Sequence, residues 1–158
     1  MSKEQLMISA DKLIQPSAAS ANEFEEKREM LAAEMNRLMI ARSDLTTLIR
    51  EGNQAMMEEN HRNHARFLSS VFQTYQPAVL VETVLWVFRA YRLHGFQLTY
   101  FPAQLDQWVE IFKTHLSDET FRDIYPFYHW MIVNQAAFVT ESDKLVMTGE
   151  MPFQREKG

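Results

Sequence analysis

Glu58, His61 and His64 are the residues whose types and spacing best suit them to chemistry in this chain. Side chains three apart on a helix share a face, with β-carbons about 5–6 Å apart. A Glu-x-x-His pair of that kind is one half of the carboxylate-bridged di-metal sites built inside helical bundles. His64, one turn further on, completes a candidate metal set of Glu58, His61 and His64. The full di-metal pattern needs a second Glu-x-x-His, and the sequence has none. Glu110 is followed at that spacing by Lys113, and Glu119 by Arg122, while Glu34 and Glu82 offer single carboxylates only.

Two further readings of the histidines stand beside the metal. Neutral imidazoles can form a polar seam in a core, hydrogen-bonded to Asn60, to tyrosines or to the backbone, because buried ring nitrogens must be satisfied. Alternatively they line a ligand pocket, for haem or another planar group. Haem needs one axial histidine in an apolar pocket, and His61, His64, His94 and His129 are all eligible. The pocket candidates are His61, His64, Glu82, Arg89, Trp86 and His129. Glu82 and Arg89 fall two helical turns apart, about 10 Å between α-carbons, too far for an easy direct pair. Partners on other helices are expected: Arg42 or a histidine for Glu82, and Asp106, Glu110 or Asp123 for Arg89.

The elements that must position these groups read as helices. With only four glycines and five prolines in 158 residues, the closely spaced turns of a β-sandwich are missing. The most apolar stretch, Pro77 to Gly95, is hydrophobic on nearly every side through Trp86 and Val87. Its length and its FRAYRL tail favour a helix over a buried strand. Glu82, Arg89 and Arg92 argue against a membrane span, each costing roughly 2.5–3.5 kcal/mol at a bilayer centre. The segment 77–95 is therefore expected to be the central helix of a compact all-α bundle of about five main helices, globin-like in size and helicity.

Around it, residues 1–21 read as an N-terminal arm and linker, 22–142 as the helical domain and 143–158 as a loosely held tail. Asn22 with Glu25 resembles a capping box, opening a first helix from about Glu23 to Arg50 and stopped by Gly52. Its stripe of Leu31, Met35, Leu38, Leu45 and Ile49 is heptad-like apart from Arg42. That stripe suits either packing within the bundle or a homo-oligomer through the 23–50 helix, with Arg42 pairing an acid of the partner. A second helix, Asn53 to Tyr75, puts Met57, His61, His64, Leu68 and Val71 on one face. A fourth begins near Pro102, with Leu105, Trp108, Val109, Phe112 and Leu116 forming one stripe. A fifth begins after Ser117, with a kink or break expected at Pro126.

Composition narrows the function. The net charge of −5 speaks against nucleic acid. With no cysteine, disulfides and thiolate chemistry are excluded, and a cytoplasmic location is compatible. No nucleophile elbow, phosphate-cradling glycine loop or triad order is present. The expected function is a non-enzymatic sensory or regulatory helical domain that binds a small ligand or a protein partner. A metal- or haem-binding protein using Glu58, His61 and His64 is the alternative.

Overall fold

Serine residues set three of the helix starts in the computed structural model, which describes residues 2–148. Among the described residues there are eight helices and no strand: α1 (Lys3–Asp11), α2 (Ala18–Ile40), α3 (Leu45–Ile49), α4 (Gln54–Gln73), α5 (Pro77–Leu93), α6 (Tyr100–His115), α7 (Asp118–Val133) and α8 (Gln135–Thr148). Ser2 caps α1 in a capping box with Gln5. Ser17 caps α2 and Ser117 caps α7, each hydroxyl accepting from the amide three residues on. The expected start at Asn22 is therefore five residues late. Alanine and serine in the QPSAASA stretch are good first-turn residues once a serine cap precedes them.

The two capped ends hold each other. Asp123 of α7 accepts from Ser20 Oγ at 2.7 Å and from Ser17 Oγ at 3.2 Å. Glu23 of α2 accepts from Ser117 N at 2.8 Å, Ser117 Oγ at 2.7 Å and Thr120 Oγ1 at 2.8 Å. Both helices carry the same spacing: Ser17, Ser20, Glu23 and Ser117, Thr120, Asp123. Each carboxylate thus sits at the positive end of the other helix, where orphan amides and the dipole favour negative charge. Burial would raise the Glu23 pKa, but the hydrogen bonds from Ser117, Lys27 and Thr120 bring it down to about 2.

The expected 23–50 helix is interrupted. Arg42 forks onto Asp44 within the chain, at 2.8 and 2.9 Å, where a partner's acid was expected. Ser43 and Asp44 favour local hydrogen bonds over helix continuation. The turn frees α3 to bury Leu45, Leu48 and Ile49. Leu31 and Met35 are likewise buried and Leu38 partly so, packed within the chain's own core. At the end of α3, Arg50 adopts φ 70° and its side chain lies over Gly95. A β-carbon on Gly95 would meet Arg50 Cδ at 2.2 Å, so only glycine fits at this φ of 96°. Asn53 Nδ2 bridges the carbonyls of Ile49 (2.7 Å) and His94 (2.8 Å), pinning α3 to the end of α5.

The central helix is α2, which packs against α4, α6 and α7; α5 lies to one side, against α1 and α8. The 77–95 segment is thus a flank, corrected from the expected centre: Leu80, Val81, Leu85 and Phe88 are buried while Val79 is 44% exposed. Val84, Trp86 and Val87 line a cavity, and Leu93 is exposed. α1 is firmly attached, with Leu6 and Ala10 fully buried and Trp130 Nε1 donating to Ser9 Oγ at 2.8 Å. The helix of α7 runs through Pro126, since the carbonyl it leaves unpaired belongs to exposed Arg122. The break comes at Asn134, whose side chain caps Trp130 O at 2.8 Å. α8 extends into the expected tail as far as Thr148, with Arg92 holding Asp143 and Ser142; residues 149–158 of that tail lie outside the described residues. The short α1 and α3 and the split of α7 from α8 raise the helix number from about five to eight. No helix among the described residues is long and apolar enough to cross a membrane.

Candidate functional site

The α4 periodicity turns His61 straight into the core, where it is 0% exposed. Its Nδ1 lies 2.6 Å from Asn36 Oδ1 on α2, and its Nε2 lies 3.0 Å from the Tyr100 hydroxyl on α6. A neutral ring with Nδ1–H donating to Asn36 leaves Nε2 to accept from Tyr100, so every polar atom is used. His64 Nε2 lies 2.7 Å from the Tyr128 hydroxyl of α7. Trp108 of α6 stands between the rings, edge-on to His61 at 5.9 Å and stacked on His64 at 5.0 Å. Burial pushes both histidines down to about 3, and for His61 the charges of His64 and Arg62 add to it. Burial also raises Tyr100 and Tyr128 well above the usual phenol range. Such groups do not exchange protons near neutrality. They make a polar seam of the expected kind, with two tyrosines as partners and Asn36 in place of Asn60.

The metal set does not assemble. Among the described residues no three His, Asp or Glu side chains converge to hold an ion. Both nitrogens of His61 are occupied, and Glu58 is approached by Gln54 Nε2 at 3.5 Å. Of the four histidines eligible as haem ligands, His61 is sealed, His64 lines the cavity with its Nε2 engaged by Tyr128, and His94 and His129 are exposed.

Beside this seam, α4 and α5 diverge around a cavity of about 260 Å³, roofed by α6, α7 and α8. Asn60, Asn63, His64, Phe67 and Leu68 line it from α4. Val84, Trp86, Val87, Phe88 and Tyr91 line it from α5, with Thr83 at the edge. Phe101, Gln104, Leu105, Met131, Gln135 and Phe138 complete the wall. No charged side chain lines it among the described residues. The volume equals about eight or nine liquid waters, and an apolar cavity of about 150 Å³ already admits a benzene ring. A bicyclic molecule, or one ring with a short tail, is the matching size.

Of the six pocket candidates read from sequence, only His64 and Trp86 line the cavity. His61 is closed behind Trp108. Glu82 is exposed and pairs with Lys3 at 3.4 Å, not with Arg42 or a histidine. Arg89 is buried at 6% exposure but away from the cavity wall, and His129 is exposed. Of the acids expected near Arg89, Asp123 is held at Ser17 and Ser20 and Glu110 pairs with Lys113.

Four of the wall residues that sequence reasoning did not offer as pocket candidates are amides. Asn63 Oδ1 accepts from Arg66, Gln104 Oε1 from Trp108 Nε1, and Gln135 Nε2 donates to Met131 O. Asn60 differs: its Nδ2 is buried and has no hydrogen-bond partner. The signal available in the sequence was the run of α4 polar residues one position behind the buried stripe, at Asn60 and Asn63.

Comparison with protein-family models, with curated proteins and with solved structures found no match to this chain. The globin-like expectation accordingly has no structural counterpart to rest on.

Proposed function

We propose that this chain is a non-enzymatic sensory or regulatory domain whose α4–α5 cavity takes a small, uncharged, largely apolar molecule. The observation that carries this is the cavity itself: about 260 Å³, aromatic and aliphatic on most sides, with a few polar side chains and no charge among its described lining residues. The polar groups at the wall are amides, a threonine, a tyrosine whose pKa burial raises, and an imidazole held neutral. They suit recognition; binding is then the output. Homodimerisation through the 23–50 segment is not part of this reading, because Leu31, Met35, Leu45 and Ile49 are already buried within the chain.

The test is titration with 2-methylnaphthalene, followed by ¹H–¹⁵N chemical shifts and by the fluorescence of Trp86. Saturable shifts confined to the cavity-lining stretches of α4, α5, α6, α7 and α8, lost in a Val84→Trp variant that still unfolds cooperatively, are expected. Absence of saturable binding, or equal binding by the filled variant, would reject the cavity as a site.

A further inference from the structure

We infer that Gln104 determines specificity at this cavity: its Nε2 amide is a fixed donor at the inner wall, and the ligand meets it with a neutral acceptor, a carbonyl or its equivalent. This rests on the cavity being a binding site and adds the chemical class of what fills it.

Four amides line the cavity, and Gln104 alone among them is buried, at 6% exposure; Asn60 and Gln135 are half-buried and Asn63 is exposed. The Gln104 Oε1 accepts from Trp108 Nε1 at 3.3 Å. An indole N–H only donates, so this bond decides which end of the amide meets Trp108 and leaves the NH2 end to face elsewhere. Trp108 does not line the cavity. It is 0% exposed and stacked on His64 at 5.0 Å and on Phe112 at 5.7 Å, so the amide is oriented by a group that is itself locked. The Gln104 Nε2 has no hydrogen bond among the described residues, and unlike Asn60 Nδ2 it is not enclosed. In a side chain with so little surface, that accessible atom opens onto the cavity the side chain lines.

A ligand without an acceptor takes water away from this donor and leaves it unpaired, at its full desolvation cost, so the site discriminates against it. The acceptor is neutral, because no charged side chain lines the cavity among the described residues to balance a carboxylate or phosphate. Phe101, one turn before Gln104 on α6, stacks on Phe88 of α5 at 3.8 Å, and both line the cavity. They give the ligand's apolar frame a wall close to the donor.

A matched pair of probes tests this: 1-tetralone, which carries a carbonyl on a bicyclic frame, and tetralin, which lacks it. Each is titrated into the full chain and into Gln104→Met, with dissociation constants from calorimetry and folding checked by cooperative thermal unfolding. The ratio of the tetralin to the tetralone constant is expected to fall about tenfold on Gln104→Met, the size of one hydrogen bond. A purely structural role for Gln104 would weaken both probes alike and leave the ratio unmoved. If the variant does not unfold cooperatively, the native chain supplies the readout: the Gln104 side-chain amide protons should move downfield with tetralone and not with tetralin. An unchanged ratio, or amide protons that respond equally to both probes, would overturn the assignment of Gln104 while leaving the cavity site standing. Neither probe binding the native chain would overturn both.

Discussion

The crossing of α2 and α7 and the wall between α4 and α5 both place polar side chains between helices, yet they solve opposite problems. At the crossing, every hydroxyl and carboxylate is matched: Asp123 to Ser17 and Ser20, Glu23 to Ser117, Thr120 and Lys27. At the wall, the Asn60 Nδ2 is buried without a hydrogen-bond partner. The contrast is sharpest within α4, where His61 has both nitrogens engaged and its neighbour Asn60 does not. Polar groups that complete each other build the fold. A polar group left incomplete weakens it. Side-chain type alone does not separate the two, since the more reactive residue here is the structural one.

The largest test of that division is acid. His61 and His64 have folded pKa values near 3 against 6.5 for the free side chain, so the unfolded chain binds their protons first. Their contribution to stability is complete above about pH 6.5 and is lost as pH falls toward 3, by up to about 1.4 kcal/mol per unit for each histidine. Glu23, lowered from 4.5 to about 2, loses its contribution only below about pH 4.5. Urea denaturation at pH 7.5, 6.5, 5.5 and 4.5 should show stability dropping well before the carboxylates titrate. A His64→Gln variant should show about half the slope. A flat profile between pH 7 and 5 would mean that the histidines are not held neutral and that the seam is not closed.

Next in size is Asn36→Leu. It removes the acceptor of His61 Nδ1 and strands a buried donor, at a cost of about 1–3 kcal/mol by chemical denaturation. A change below about 0.5 kcal/mol would show that His61 finds another partner.

What was legible beforehand follows the range of the interactions. Gly52, Pro77, Gly95 and Ser117 act on the backbone within a few residues, and each ends or begins a helix where the chain suggested. The stripe of Leu105, Trp108, Val109, Phe112 and Leu116 is buried in full because one helix face needs only a neighbour, not a particular one. Asn36 lies 25 residues from His61, and no local pattern names it as the partner. The flank position of α5 was hidden for a related reason. Apolar side chains facing a void read the same as apolar side chains facing a helix. A cavity is a property of what fails to meet, and periodicity does not record it.

At the crossing, Ser117→Ala deletes the α7 cap and one of the donors to Glu23, and should cost about 1 kcal/mol. Combined with Glu23→Gln it should cost less than the sum of the two single changes, because both remove the same interaction. Strict additivity would show that the two capped ends act independently.

The smallest effect carries the opposite sign. Asn60→Leu keeps about the same side-chain size, removes a buried donor that has no partner, and adds apolar surface beside an apolar void. The native residue already bears the desolvation cost, so replacing it relieves that cost instead of creating one. In the absence of ligand the variant should be as stable as the native chain or more so, by up to about 1 kcal/mol. Asn36→Leu and Asn60→Leu are the same chemical change at two buried amides, and their stability shifts should differ in sign. If Asn60→Leu destabilises as Asn36→Leu does, the Asn60 amide is bonded in solution and the two regions are not different in kind. If the signs split, the chain keeps at Asn60 a group that weakens its own fold.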